Sequence, residues 1–365
     1  MLADGMRSKG HHVNIWAPKA KFQKLSSNPT LRKWLGYVDQ YLIFPREVRR
    51  QAKRCVSDTL FVFTDQALGP WVPLVVNRPH VIHCHDFLAL QSAQGEIPEN
   101  PTSWTGRQYQ ELIWRGFAKG KHFVSVSQKT KTDLHRYLPV EPSSSDVVYN
   151  GFHQPFMQHD QLASRRTFGE RIGLDLTSGY ILHVGGNLWY KNRSGVIEIY
   201  DAWRSTENRK LPLLLIGEAP SNELLLKQRL SPHHADIHWL TGIPDEFIRL
   251  AYSGASVFLF PSLGEGFGWP IAEAMASGCP VITTGATPMT EVAGEAAYFI
   301  PRRPMDPLLV AKWAKHAASM VEKIVNLSES ERQAVVDAGI KNSKRFDTQH
   351  ALDQIEKIYV RILQE

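Results

Sequence analysis

Cysteine is scarce in this sequence: among 365 residues only Cys55, Cys84 and Cys279 carry a thiol. Their spacing forms neither a metal-ligand set nor a disulfide framework, which fits a reducing cytoplasm. No uninterrupted apolar run is long enough to cross a bilayer, and the first residues hold no hydrophobic signal region. Internal repeats and low-complexity stretches are also missing, which argues against a solenoid or a disordered tail. What is there is ordinary for a globular chain: 43% hydrophobic and 21% charged residues, at a length that suggests two domains.

The net charge of +6 is unevenly distributed. Residues 1–150 hold 20 Lys/Arg against 12 Asp/Glu, and the remainder holds 22 against 24. A basic first half favours an anionic membrane face or a phosphate-bearing acceptor, with a merely solvated surface as the competing reading. Nucleic acid is not expected, because the basic residues are scattered and no recognition motif accompanies them.

The most informative stretch is 261–276, PSLGEGFGWPIAEAMA. An apolar run, Val257–Phe260, precedes it and reads as a buried strand. Glycines then bracket Glu265, and Pro270 opens a helix carrying Glu273, as suits a residue with no N–H to satisfy. Gly266 and Gly268 let the backbone approach a ligand, and the amides of a helix N-terminus favour an anion. Strand, glycine loop and helix together read as a nucleotide-phosphate site with a carboxylate at the loop and another in the helix. A second such junction lies at 180–193, YILHVGGNLWYKNR, where a strand meets Gly185 and Gly186 and a cation, Lys191, stands at the turn.

The two glutamates enclose seven residues, and this arrangement within EGFGWPIAEAMASGCPVI closely resembles the retaining glycosyltransferases of the GT-B family, the glycogen-synthase-like "glycosyl transferases group 1" of family 4 type. The resemblance runs from about residue 5 to 360 and is most specific over 181–300. It implies an α/β chain of GT-B type, two Rossmann-like domains facing across a cleft: an acceptor-side domain over 1–155, a donor-binding domain over 156–346, and a last helix, 347–365, packing back on the first. It implies further that Glu265 sits beside the donor sugar, that Glu273 binds the ribose hydroxyls, and that Lys191 holds the diphosphate. Gly186, Gly266, Phe267 and Gly268 complete the donor loops. At the position where the family usually has arginine this chain has Asn187, and Arg193 is the candidate for supplying the missing charge.

In the first half, strands are expected at 12–18, 59–64, 79–87, 121–127 and 147–151. His85 and Asp86 fall at the tip of the 79–87 strand, and open parallel sheets bind ligands at the carboxyl ends of their strands. By resemblance His85 is the catalytic histidine approaching the donor sugar or the acceptor, with Asp86 on the acceptor side. His83 shares its parity and competes with it. Arg107, at the start of a helix after the 96–109 loop, is a candidate for a phosphate or sugar acid, or simply an exposed helix-starting arginine. The basic and aromatic segment 19–54, with Trp34, Tyr37, Tyr41 and Phe44, reads as core packing or as a membrane- or acceptor-facing surface. Family members place a first strand and a glycine-containing loop ahead of the opening helix, here Met1 to Lys9; neither is present, so the resemblance implies a chain that begins further upstream or is truncated.

The expected activity is transfer of a hexose from a UDP- or GDP-sugar to a glycan or lipid-linked acceptor, with retention, in bacterial surface polysaccharide synthesis. The protein would work in the cytoplasm, its basic half toward the inner face of the membrane. No Asp-x-Asp motif stands where a metal would serve the diphosphate, so no metal and no cofactor are expected. Two alternatives stay open: a nucleotide-sugar epimerase on the same fold, and an inactive nucleotide-sugar-binding protein.

Overall fold

The computed structural model describes residues 2–206 and 210–365. Met1, the expected first residue of the opening helix, lies outside the described residues; the helix there is Leu2–Ser8. The chain divides into two compact units, one made of residues 1–96, 101–148 and 349–365, the other of 97–100 and 149–348.

The first unit is a four-stranded parallel sheet in the order β1 (Phe61–Phe63), β2 (His80–Cys84), β3 (His122–Ser125) and β4 (Ser144–Val147). Successive residues of a strand point to opposite faces. Ile82 and Phe123 therefore pack with Val72, Phe117 and Leu134 on one side. Val81 and Val124 meet Met6 and the helix Thr348–Gln364 on the other. That helix docks through Ala351, Leu352, Ile355, Ile358, Tyr359 and Ile362, one stripe at helical spacing. Lys9 ties the opening helix to it through Asp353 and, at 3.0 Å, Glu356.

Two expectations fail here. Residues 12–18 form no strand: no sheet edge pairs with them, and Ile15 is 70% exposed while Trp16 packs edge-on against Phe61. The last strand of this sheet is Ser144–Val147 rather than 147–151, because after one more ladder bond, Val148 N to Ser125 O at 3.0 Å, the chain leaves the sheet.

The second unit is a six-stranded parallel sheet. In chain order its strands are β5 (Ile181–Val184), β6 (Leu213–Ile216), β7 (Ile237–Leu240), β8 (Val257–Phe260), β9 (Val281–Thr284) and β10 (Tyr298–Ile300). In space they run β10-β9-β8-β5-β6-β7. The sheet grows outward in both directions from the β5–β8 pair, Ile181 beside Val257, so the direction of winding reverses there. In open α/β sheets the crevice beyond such a reversal is where ligands bind. The runs LLLI and VFLF are buried throughout, as strands covered on both faces must be. Helices Arg193–Arg204 and Pro307–Val325 bury Val196, Tyr200, Trp203, Trp313 and Val321 against one face. The helix before β8 is Asp245–Gly254, and Asp245 is its first residue, where a carboxylate suits the helix dipole.

Candidate functional site

The loops that follow β5 and β8 are neighbours because their strands are. The β8 loop ends at Gly268, whose φ of 104° is left-handed, and the helix Trp269–Ala276 begins immediately after it. Only glycine takes that backbone without strain. Pro270 thus stands second in the helix, one place later than its sequence position suggested. On the β5 side, Trp189–Lys191 form a single tight turn and Asn192 caps the helix Arg193–Arg204. Asn192 accepts from Gly195 N at 3.1 Å and donates to Pro261 O at 2.8 Å, which stitches the two loops together. Leu263 N to Tyr190 O at 2.7 Å is a second stitch.

This frame brings Lys191 and Glu265, 74 residues apart, to 2.8 Å between Nζ and Oε1. Both side chains are largely buried, at 14% and 8% exposure. Ser262 Oγ lies 2.8 Å from the same Glu265 oxygen and 2.8 Å from Tyr190 O, so its one proton is shared between the carboxylate and the β5 loop. The Lys191 ammonium also lies 5.0 Å from the Phe260 ring centre and 5.4 Å from that of Tyr190. An ammonium held over ring faces and against one carboxylate oxygen is a directed cation, not a solvated one.

Glu273 lies a turn into the helix and is 7% exposed. Tyr252 donates to its Oε2 at 2.9 Å, and His153 Nδ1 stands 3.9 Å from its Oε1. Burial pushes its pKa up to about 7, with Asp245 adding to the rise, against the Tyr252 hydrogen bond and the nearby charge of Lys191. The carboxyl is therefore near half-ionised at neutral pH.

Gly186, Asn187 and Arg193 form a separate corner beside the end of β6. Asn187 N donates to Glu218 Oε2 at 3.0 Å. Arg193, 3% exposed, donates through Nη1 to Asn187 Oδ1 at 2.5 Å and to Glu218 O at 2.9 Å, and its guanidinium lies 4.4 Å from the centre of the Trp239 ring. Its Nε and Nη2 find no hydrogen-bond partner, and burial lowers its pKa to about 10. Arg193 thus packs into this corner with two of its nitrogens left without a partner. Phe267 is 4% exposed and packs on Phe346, so at this position of the β8 loop only the backbone is left to face a ligand.

In the first unit, His85 Nε2 donates to Thr64 O at 2.8 Å, and among the described residues no partner meets its Nδ1. Its backbone N–H donates to Gln66 Oε1 at 2.9 Å. Asp86 accepts from Leu88 N at 3.0 Å; burial raises its pKa despite that bond. Arg107 is exposed, its Nε donating to Thr102 O at 3.2 Å. His83 is buried, hydrogen-bonded to Tyr359 at 2.6 Å, and held down to about 3 by burial: a packed, neutral histidine. Of the aromatic residues in 19–54, Phe44 enters the core at 6% exposure, whereas Trp34 is 64% exposed.

Sequence reasoning overlooked Ser262, Tyr252, His153 and Glu218. Tyr252, His153 and Glu218 reach the site only through tertiary contacts, and Ser262, three residues before Glu265, carries no pattern that marks it. Asn192 did carry a signal, an asparagine immediately before a helical segment. Among the described residues no group of three His, Cys, Asp or Glu side chains is arranged to hold a metal ion.

Residues 179–329 match the family model described as glycosyl transferases group 1, and residues 1–153 match that described as glycosyltransferase family 4. The chain is 24% identical to a phosphatidyl-myo-inositol mannosyltransferase of Mycobacterium tuberculosis, over 98% of this chain and 90% of that protein. It is 28% identical to O-antigen chain mannosyltransferase B of Escherichia coli, over 50% of this chain and 45% of that protein. Among solved structures, WaaG, a glycosyltransferase involved in lipopolysaccharide biosynthesis, superposes with a TM-score of 0.69 at 16% identity, covering 98% of this chain and 93% of that one. HepE of Anabaena, in complex with UDP and glucose, does so with a TM-score of 0.67 at 18% identity, covering 88% and 82%.

Proposed function

The chain belongs to the family 4 glycosyltransferases, the group 1 glycosyl transferases of GT-B fold, and from that premise we propose the reaction it carries out: transfer of a hexose from a UDP- or GDP-sugar to a glycan or lipid-linked acceptor, with retention of the anomeric configuration. The observation that carries this reading is the Lys191–Glu265 pair at the winding reversal of the second sheet, beside a helix N-terminus and the buried Glu273.

Cleaving a sugar–phosphate bond builds negative charge on the departing diphosphate and positive charge at the anomeric carbon. Lys191 and the amides around Gly266–Gly268, with the helix dipole behind them, meet the first charge by electrostatics arranged in advance. Glu265, held by Ser262, faces the second and orients the sugar. A diphosphate competing for Lys191 would release Glu265 to the sugar hydroxyls, so one ligand satisfies both partners of the resting pair. Glu273 receives the ribose diol when ionised. Arg193, Asn187 and Gly186 brace the donor loop. His85, with its free Nδ1, Asp86 and Arg107 are proposed to serve the acceptor side. Metal and cofactor are not required by this scheme, because lysine, amides and dipole supply the positive field. The mannosyltransferases among the relatives make GDP-mannose the first donor to try, in the synthesis of a surface glycan at the inner face of the membrane.

Thermal unfolding with UDP, GDP and ADP in turn, without added metal, tests the donor site. One nucleotide should raise the melting temperature clearly. A cooperative transition that none of them shifts would contradict the assignment.

A further inference from the structure

The two carboxylate oxygens of the buried Glu273 lie in unlike settings. Oε2 accepts from the Tyr252 hydroxyl at 2.9 Å. Among the described residues no hydrogen bond reaches Oε1, and it is not one of the polar atoms sealed from water. His153 Nδ1 stands opposite it at 3.9 Å, too far for a hydrogen bond. The His153 side chain is 47% exposed, yet its ring is placed. Trp269, the first residue of the helix that carries Glu273, meets it edge-on at 5.5 Å between ring centres, and Phe156 does so at 5.8 Å. Phe156 also packs against Tyr252 at 6.0 Å, so one phenyl ring sets both residues that face the Glu273 oxygens. Gln154 accepts from Arg249 Nη1 at 3.0 Å, and the His159 N–H donates to Ser253 Oγ at 3.3 Å. Arg249 and Ser253 belong to the helix Asp245–Gly254, which also carries Tyr252, so the 153–159 segment is anchored beside the carboxyl.

The open distance has a chemical reading. A hydroxyl oxygen sits about 2.8 Å from each of its hydrogen-bond partners. Across 3.9 Å it meets both groups at once, with an angle of roughly 90° at that oxygen. It gives its proton to the carboxylate and accepts from the imidazole N–H, which only a group that is donor and acceptor together can do. A diphosphate oxygen has no proton to give Glu273, and an ammonium has nothing with which to accept from His153. The hydroxyls of a ribose have both.

We propose that His153 is a ribose ligand of the donor nucleotide, clamping one hydroxyl against Glu273 Oε1 while Tyr252 holds Oε2. The inference rests on the proposed donor site and adds to it a side chain from outside the two glycine loops. It also makes the site selective: a ribonucleotide fills the clamp, and a nucleotide lacking that hydroxyl leaves His153 idle.

The test is calorimetric titration at pH 8, above the point near 7 where the Glu273 carboxyl ionises. The nucleoside diphosphate that protects the full chain from unfolding, and its 2′-deoxy and 3′-deoxy analogues, are each titrated into wild type, His153→Ala and His153→Asn. His153→Ala should bind the ribonucleotide roughly tenfold more weakly than wild type, and His153→Asn, which keeps an N–H donor, should recover most of that loss. With the analogue that lacks the clamped hydroxyl, wild type and His153→Ala should agree within about twofold. If His153→Ala melts early, His153→Phe keeps the ring contacts without the N–H and allows the same comparison. Equal losses with all three ligands, the mark of a ring that only props Trp269, would overturn the proposal, as would an unchanged affinity for the ribonucleotide. Either result strikes His153 alone, whereas wild-type protein that binds none of the three would overturn the donor site as well.

Discussion

The donor loops of the second unit and the basic face of the first use similar residues in opposite ways. Around the donor loops each charged side chain is held by neighbours: Lys191 by Glu265, Glu273 by Tyr252, and one nitrogen of Arg193 by Asn187 and the Glu218 carbonyl. On the 44–52 helix, Arg46 and Arg49 have no carboxylate among the described residues, and aromatic and aliphatic side chains lie open beside them. Partnered, largely buried charges hold a fixed geometry and suit a small ligand whose charge develops at a defined atom. Unpaired arginines on a surface helix fix no geometry and suit a ligand met from solution or from a membrane. Formal charge alone, +8 in residues 1–150 and −2 in the rest, points away from the half in which the diphosphate site is proposed. Local pairing corrects it.

Breaking the paired side should have the largest effect. Lys191→Ala removes the directed cation and leaves Glu265 at 8% exposure without its counter-charge. Turnover with the preferred nucleotide-sugar should fall about a thousandfold, and near-normal initial rates would remove Lys191 from the phosphate site.

Glu273→Gln should have an intermediate effect that depends on pH. In the free protein its carboxyl titrates near 7, above the ordinary value of 4.5, so it binds a proton in the folded state that the unfolded chain has already released. Stability from this group is therefore lost as pH rises from about 4.5 through 7, by on the order of 3 kcal/mol at most. The glutamine variant should melt higher than wild type at pH 8, and the advantage should vanish toward pH 5. Nucleotide affinity runs the other way, since a ribose diol needs the carboxylate: wild-type affinity should climb between pH 6 and 8, while the variant binds weakly with a flat profile. Calorimetry and titration across that range check both signs, and a wild-type affinity independent of pH would detach Glu273 from the nucleotide.

Ser262→Ala should have the smallest effect. It deletes one hydrogen bond to Glu265, worth about 1 kcal/mol, so the maximal rate should drop about fivefold with the Michaelis constant for donor little changed. A loss as large as that of Lys191→Ala would mean that Ser262 touches the substrate itself.

Much of the donor loop was legible in the sequence because it is local. The 257–276 segment writes strand, left-handed glycine, proline and helix in order, and the structure repeats them with Pro270 shifted by one place. What was not legible depends on distance along the chain. Nothing near Lys191 announces Glu265, and nothing near Glu273 announces Tyr252, which packs there because helix Asp245–Gly254 precedes β8. Arg193 looks like a substitute phosphate ligand by charge and position, and nothing near it in sequence announces that it is buried against the Trp239 ring and bonded to the Asn187 side chain. The 12–18 segment has strand composition but forms no ladder with the edge strand β1 against which Trp16 packs, and β propensity without a ladder makes no strand.

The central claim is that Lys191, Glu265 and Glu273 form the donor site of this glycosyltransferase. Its most direct test is titration of the protecting nucleoside diphosphate into wild-type protein and Lys191→Ala under identical conditions without metal. The account predicts saturable one-to-one binding to the wild type and an affinity at least about tenfold weaker in the variant, the loss expected for one charge-assisted phosphate contact. Equal affinities in two well-folded proteins would contradict it.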